Sequence, residues 1–212
     1  VKEYTLLSRI MAREARVDSR IFRQGIGNAQ GVREKLLRCK AELSGLPLRI
    51  VEKSVAPMCP REVRRLAKSL KGVGLVIVDY LQLLCPDQKN TSREREVAEM
   101  SRSMKQLALD CDCPVLLLSQ LNRRVEEGDR EPRLSDLRES GAIEQDADIV
   151  MFIDRSMDEM EAESEDRPDL GTAELIVAKH RNGPTRDIKL AFNAEYTRFM
   201  DFIDDSRVPG YM

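Results

Sequence analysis

The sequence has few residues of the types that build metal sites, disulfide frameworks or membrane spans. It contains one histidine, His180, and five cysteines, at positions 39, 59, 85, 111 and 113, without a C-x-x-C spacing. This odd and scattered set predicts free thiols in a reducing cytoplasm and argues against a zinc site. No apolar run reaches the ~20 residues that a membrane-spanning helix requires, so no membrane association is expected.

The sequence also lacks an excess of charge of either sign. Its 212 residues include 35 Lys and Arg against 37 Asp and Glu, a formal net charge of -2. Overall charge therefore argues neither for nor against nucleic acid. A chain of this length buries roughly 70% of the surface that its unfolded form exposes, enough for a core without metals or disulfides. Residues 1–4 resemble neither a signal peptide nor a natural initiator, and we expect the chain to begin inside a longer protein.

The longest apolar run, residues 74–84, contains one carboxylate, that of Asp79. Because the run is apolar on every face, it predicts a central β-strand that is covered on both sides. A carboxylate at the carboxyl end of such a strand lies where open α/β sheets bind ligands, and it commonly holds a metal ion or its waters. Asp79 is therefore the first candidate site residue. The alternative from this stretch alone is that Asp79 caps the following loop.

Helical and strand patterns alternate along the rest of the chain. Helical spacing predicts helices at about residues 4–15, 32–43, 60–70 and 92–109, the last opened by a capping box. Further strands are predicted at residues 48–51, 114–120, 149–153, 172–180, 187–192 and 198–202. This order predicts an α/β fold with a mainly parallel sheet flanked by helices and antiparallel strands at the carboxyl-terminal end. The acidic segment 156–171 is predicted to be a mobile surface excursion.

Polar side chains stand at the ends of three of these strands. They belong to Asp79, to Gln120, and to the pair Lys179 and Arg181. Residues two apart in a strand point to the same face, so Lys179 and Arg181 could present two positive charges to one anion while His180 points away. Together these residues would assemble most of a nucleotide-hydrolysing site: an acid for Mg²⁺, an amide near a terminal phosphate, and a Lys/Arg pair for the charge of that phosphate.

Several motifs together resemble one known family. They are Val78–Leu83, Leu118–Arg123, Ser135–Gly141, Ile143–Asp148, Lys179–Thr185 and Tyr196–Phe199. Their order and spacing are similar to those of the hexameric replicative DNA helicases of the bacterial DnaB type, which have a RecA-like motor domain. The resemblance covers nearly the whole chain. It implies a RecA-like α/β domain, incomplete at its amino terminus, from an ATP- and Mg²⁺-dependent helicase that moves along single-stranded DNA and unwinds duplex at the replication fork.

The resemblance implies a role for each residue of the candidate nucleotide site. Asp79 looks like the Walker B aspartate that helps to hold the Mg²⁺ of bound ATP. Gln120 looks like the sensor that couples the γ-phosphate to the DNA-binding loops. Lys179 and Arg181 look like the pair that reaches the nucleotide of a neighbouring subunit, with Arg181 as the arginine finger. Arg9 resembles an arginine that helps to organise the nucleotide phosphates.

The resemblance implies DNA and protein partners as well. Arg138, Glu139 and Gly141 resemble the loop that lines the central channel and grips the backbone of single-stranded DNA, where glycine permits a close approach. Arginine and main-chain N–H groups suit phosphates, so this contact should read no bases and should weaken steeply with salt. The family further implies a cytoplasmic homo-hexamer that works with a primase and a helicase loader.

The sequence departs from the family pattern in three respects. No G-x-x-x-x-G-K-[ST] motif, the loop that cradles phosphates, occurs among its eleven glycines. The catalytic glutamate and the primase-binding domain of the family are expected upstream of Val1 and are missing from these residues. His180 stands where family members usually carry glutamine. We therefore expect the 212-residue chain alone to hydrolyse ATP negligibly.

Two other functions remain open at this point. The chain could be a naturally truncated, non-catalytic relative that binds single-stranded DNA or joins a helicase ring as an interaction module. It could also come from a related RecA-like ATPase that works in recombination, which shares the acid and the strand order. Ser135–Gly141 together with Lys179–Thr185 favours the helicase over the recombination enzyme.

Overall fold

A computed structural model of the chain describes residues 2–25, 31–52, 57–88, 90, 92–122, 130–137, 141–155 and 170–202. Within these ranges the helices α1 to α6 are Glu3–Ala15, Ile21–Gln24, Val32–Ser44, Pro60–Ser69, Arg93–Cys111 and Gly141–Asp146. The strands β1 to β6 are Val76–Val78, Val115–Leu117, Ile149–Asp154, Leu170–His180, Arg186–Asn193 and Arg198–Asp201. Among the described helices, none is long and apolar enough to cross a membrane.

The chain divides into two compact units. The first comprises Val1–Glu52, Ile153–Ile176 and Asp187–Met212, and the second comprises Lys53–Phe152 and Val177–Arg186. Of the predicted site residues that the structure describes, only Arg9 belongs to the first unit. The second unit therefore carries most of the candidate site.

The strands pair in two sheets. Strands β1 and β2 are parallel neighbours, with Val76 opposite Val115 and Val78 opposite Leu117. The other sheet has the strand order β3-β4-β5-β6, and its β5 and β6 are antiparallel. The predicted α/β fold, with parallel pairing beside Asp79 and antiparallel pairing at the carboxyl-terminal end, is confirmed.

Helix α5 supplies more buried residues to the apolar cluster of the second unit than any other element does. It begins after Ser92, whose hydroxyl accepts a hydrogen bond from the N–H of Arg95 at 3.3 Å, and ends at Asp112, which adopts the left-handed conformation. The apolar side chains of its buried face recur at helical spacing: Val97, Met100, Met104 and Leu107. They pack with Val78 and Leu81 in one apolar cluster. The predicted helix is confirmed.

The prediction of one long strand, covered on both sides, is wrong. Only Val76–Val78 is extended in the sheet, and the chain turns after Asp79 into a 3-10 helix, Leu81–Leu83. Val78 is buried in the apolar cluster, whereas Ile77 on the opposite face is 58% exposed. Alternate residues of a strand point to opposite faces, and in the described part of the chain only one of these faces is packed. Leu116 of β2 is exposed in the same way.

Two further predictions concern residues 48–51 and 156–171. No strand forms at residues 48–51, where Leu48 and Val51 are half exposed and pair with no described strand. The predicted acidic excursion, 156–171, overlaps β4, because Leu170 and Gly171 already belong to that strand. Its remaining residues, 156–169, lie outside the described residues.

The packing of α5 can be tested with two leucines on opposite faces of the helix. Leu107→Ala removes a side chain that is fully buried, and should lower the free energy of unfolding by about 2–5 kcal/mol because it leaves a cavity. Leu109→Ala removes a side chain that is 66% exposed, and should change the free energy by no more than about 0.5 kcal/mol. Urea unfolding followed by circular dichroism measures both. Equal destabilisation by the two changes would contradict the assignment of the buried face.

Candidate functional site

Asp79 stands at the carboxyl end of β1, where the chain leaves the sheet. Its side chain is exposed, and it makes no hydrogen bond or ion pair with any described residue. The peptide bond between Asp79 and Tyr80 is cis. The alternative role for Asp79, a cap on the following loop, therefore has no supporting hydrogen bond in the described part of the chain. The carboxylate is accessible to a cation.

Gln82 joins the carboxyl ends of β1 and β2. Its Nε2 donates a hydrogen bond to Oγ of Ser119 at 3.0 Å, and its Oε1 accepts one from the N–H of Gln120 at 3.2 Å. Its carbonyl oxygen accepts a hydrogen bond from the guanidinium of Arg93 in α5, at 3.0 Å. The main chain adds a contact, because the N–H of Leu81 donates to the carbonyl of Leu118 at 2.8 Å. Gln120 is therefore held beside the turn that follows Asp79.

Sequence reasoning missed the role of Gln82 because the apolar run was interpreted as one strand. In a continuous strand Gln82 would have been one side chain among many. The turn after Asp79 instead directs its amide toward Ser119 and Gln120. The sequence does contain a signal for this role, namely an amide within an otherwise apolar segment. A buried or half-buried amide normally has hydrogen-bonding partners.

Lys179 and Arg181 lie together at the end of β4, and both contact the segment that ends α6. Nζ of Lys179 donates hydrogen bonds to the carbonyls of Glu144 and Ala147. The guanidinium of Arg181 donates to Oδ1 of Asp148 at 3.0 Å and to the carbonyl of Gln145 at 3.3 Å. Both cations thus face one segment, as their spacing predicts. Among the described residues, no hydrogen bond or ion pair joins this group to Asp79 or Gln120.

His180 points to a different neighbour. A Cβ built on Gly183 would lie 2.4 Å from its ring, so the ring packs directly against this glycine of the following turn. That position agrees with the prediction that His180 faces away from the partners of Lys179 and Arg181. His180, which stands where the resembling family usually has glutamine, is therefore accommodated by the turn and not by the candidate site.

The residues before the predicted DNA-binding loop are tied together by Asp136. Arg130 donates two hydrogen bonds to its carboxylate, each 2.7 Å long, and the N–H of Arg133 donates a third at 2.8 Å. The side-chain hydrogen bonds of Arg130 are the largest cause that lowers the pKa of Asp136 to about 2, although burial opposes them. The carboxylate is therefore ionised at neutral pH and fixes residues 130–136.

The predicted DNA-binding residues themselves are only partly described. Arg138 and Glu139 lie outside the described residues. Gly141 begins α6, and a Cβ added to it would meet no described atom within 4 Å. Arg9 is exposed on α1, in the first unit. The roles predicted for these four residues stay predictions.

All five cysteines are free, as their spacing predicts. Burial raises the pKa of the Cys39 and Cys113 thiols, so both are protonated at neutral pH. No three His, Cys, Asp or Glu side chains in the described ranges form a group suited to a metal ion. Asp79 nevertheless suits Mg²⁺ with a nucleotide, because Mg²⁺ commonly takes one or two carboxylates together with phosphate oxygens and waters.

Comparison with known proteins gives the same family along nearly the whole chain. Residues 1–201 match the family described as the DnaB-like helicase C terminal domain. The replicative DNA helicase DnaB of Pasteurella multocida (strain Pm70) is 40% identical over 199 residues, which cover 92% of this chain and 42% of that protein. The chain thus spans about two-fifths of the length of this curated relative.

Two solved structures have a similar fold. One is described as a DnaB-like replicative helicase and its interactions with primase, with a TM-score of 0.83, 33% identity, and coverage of 96% of this chain and 50% of that one. The other is described as an ATPase domain, with a TM-score of 0.83, 33% identity, and coverage of 96% of this chain and 72% of that one. The fold therefore agrees with the family resemblance of the sequence motifs.

The bridging role of Gln82 can be measured by amide hydrogen exchange. Gln82→Leu keeps the size of the side chain but removes the acceptor for the N–H of Gln120. Exchange of the Gln120 amide should accelerate about 3- to 10-fold, as expected for the loss of one hydrogen bond of about 1 kcal/mol. The N–H of Leu118, which donates to the carbonyl of Val78 at 3.0 Å, is the internal control and should not change. Unchanged exchange at Gln120 would contradict the bridge.

Proposed function

The chain belongs to the family of DnaB-like helicase C-terminal domains, and from this premise we propose that it forms part of the motor of an ATP-dependent replicative DNA helicase. The observation that carries the proposal is the match over residues 1–201, which includes every candidate site residue. Its motor would move along single-stranded DNA and unwind duplex at the replication fork. A structure in the same family includes interactions with primase, which supports primase as a partner.

In this proposal Asp79 and Gln120 belong to the nucleotide site of their own subunit. Asp79 would hold Mg²⁺, directly or through water, and its accessible carboxylate without a described partner supports that role. The metal, when bound, neutralises charge on the β- and γ-phosphates. Gln120 would sense the γ-phosphate from the position that Gln82 gives it. Arg9 would help to organise the phosphates.

Lys179 and Arg181 would complete the site of a neighbouring subunit in a homo-hexamer. Their proximity at the end of one strand, and the half-exposed guanidinium of Arg181, support this role. An arginine that approaches the γ-phosphate from another subunit stabilises charge in the transition state, and thereby makes hydrolysis depend on assembly. The remaining phosphate contacts would come from a phosphate-binding loop and a catalytic glutamate outside these 212 residues.

Arg138, Glu139 and Gly141 would contact the backbone of single-stranded DNA. The open space beside Gly141 supports a close approach of main chain and phosphate. Asp136 and Arg130 would hold the beginning of this loop. A helicase loader would place the ring on DNA, as the family resemblance implies.

Subunit mixing tests whether Asp79 and Arg181 act on one site from two subunits. Full-length Asp79→Asn and Arg181→Ala variants should each lose most of their Mg²⁺-dependent ATP hydrolysis and unwinding. In an equal mixture of reassembled rings, about a quarter of the interfaces would combine an intact Asp79 with an intact Arg181, because the interfaces run head to tail. DNA-stimulated hydrolysis should therefore reappear.

The matched control replaces the Asp79→Asn partner by the double variant Asp79→Asn/Arg181→Ala. No interface in that mixture contains an intact pair, so no activity should return. Absence of recovery in the first mixture, with normal ring assembly, would mean that both residues act within one subunit.

Nucleotide binding by the 212-residue chain tests the missing phosphate loop. Titration calorimetry with Mg²⁺ and a non-hydrolysable ATP analogue should show no binding tighter than about 1 mM, because the main-chain cradle for the phosphates is absent. The full-length protein under the same conditions is the positive control. Saturable binding by the 212-residue chain that is lost in Asp79→Asn would contradict the proposal, since this chain would then hold the phosphates by other groups.

A further inference from the structure

Arg181 is fixed at three points by residues 144–148, the segment that includes the carboxyl end of α6. Its main-chain N–H donates to the carbonyl of Asp148 at 2.8 Å. Its guanidinium donates to Oδ1 of Asp148 at 3.0 Å and to the carbonyl of Gln145 at 3.3 Å. The direction of the guanidinium is therefore set by one carboxylate and one carbonyl, and only the carboxylate carries a charge.

Lys179 contacts the same segment in a different way. Its ammonium donates to the carbonyls of Glu144 and Ala147, at the carboxyl end of α6. The last carbonyls of a helix lack partners within the helix, and a cation there also favours the helix dipole. Lys179 therefore joins the end of β4 to α6 through main-chain atoms, independently of Asp148.

The segment is in turn held by two residues of α5 that are one helical turn apart. The buried hydroxyl of Ser101 donates to Oδ2 of Asp146 at 2.8 Å. Nζ of Lys105 contacts Oδ2 of Asp148, while Oδ1 of the same carboxylate accepts from Arg181. The hydrogen bond from Lys105 is the largest cause that lowers the pKa of Asp148, so this carboxylate is ionised at neutral pH.

These contacts connect Arg181 to a helix through one side chain that the proposed function does not use. We propose that Asp148 is a positioning residue, whose carboxylate orients Arg181 for the nucleotide of the neighbouring subunit while Lys105 fixes the carboxylate against α5. The proposal rests on the proposed role of Arg181 as the arginine finger. Because α6 begins at Gly141, Asp148 also lies only seven residues from the end of the predicted DNA-binding loop.

The test measures DNA-stimulated ATP hydrolysis by the full-length protein. Asp148→Ala should lower kcat about 10- to 100-fold, since a displaced catalytic group loses much of its effect, and should leave KM for ATP within about twofold. Asp148→Asn should have a smaller effect, because its amide oxygen can still accept from Arg181. The side chain of Asp148 is 50% exposed, so neither change leaves a cavity in the core.

A double-mutant cycle separates positioning from general stability. If Asp148 acts through Arg181, then Asp148→Ala in an Arg181→Ala background should lower kcat by less than about twofold further. A merely structural role would reduce activity equally in both backgrounds. Asp112→Asn removes the same charge at an exposed position in the second unit, and should leave kcat unchanged.

The outcomes distinguish this inference from the function on which it rests. If Arg181→Ala leaves kcat unchanged, the arginine-finger role itself is wrong. If Arg181→Ala lowers kcat but Asp148→Ala does not, in rings of normal size by light scattering, the positioning role of Asp148 is wrong. Equal losses from Asp148→Ala in the wild-type and Arg181→Ala backgrounds would also overturn it.

Discussion

The packing of α5 against one face of the β1–β2 pair is the interaction on which the rest of the second unit depends. Its buried stripe shares an apolar cluster with Val78, Leu81 and Ile143. Burial of each such side chain contributes about 1.5–3 kcal/mol. The strand ends that carry Asp79 and Gln120 are positioned because their strands lie on this helix.

The polar residues of the same helix reach both groups of candidate site residues. At its first turn Arg93 contacts the carbonyl of Gln82, and further along Ser101 and Lys105 hold the segment that binds Arg181. The apolar stripe sets the position of the helix. Its polar side chains then orient Gln82 and the segment that binds Arg181.

Local sequence patterns predicted most of the helices and strands. They could not predict contacts between residues that are distant in sequence. The stripe of α5 is visible because helical periodicity is a property of one segment. Asp79 and Gln120 were selected as polar residues near strand ends, although the predicted strands 74–84 and 114–120 run beyond the observed ones. Gln82 and Asp148 were missed because their partners lie about forty residues away in sequence, at Gln120 and Lys105.

The error about β1 has a different cause. Apolar residues on both faces of a strand show what the strand is able to bury, but they do not show that a covering element is present among the described residues. Val78 found its partners on α5, whereas Ile77 on the other face remains exposed. The pattern therefore predicted correctly that both faces of the strand are apolar. Among the described residues, however, only the face of Val78 is covered.

The two cations at the end of β4 are held in different ways, and this difference suits the positioning role proposed for Asp148. Lys179 binds main-chain carbonyls in a half-buried position, whereas Arg181 and Asp148 form a pair in which each side chain is about half exposed. A solvent-exposed ion pair contributes only about 0–1 kcal/mol to stability, so this contact with Asp148 serves to direct the guanidinium more than to stabilise the fold. A guanidinium has five N–H donors, and the contacts with Asp148 and Gln145 use two of them, so other donors remain for phosphate oxygens. Lys179 can thus keep the strand in place, while Asp148 keeps Arg181 in the orientation in which it would meet the phosphate of a neighbouring subunit.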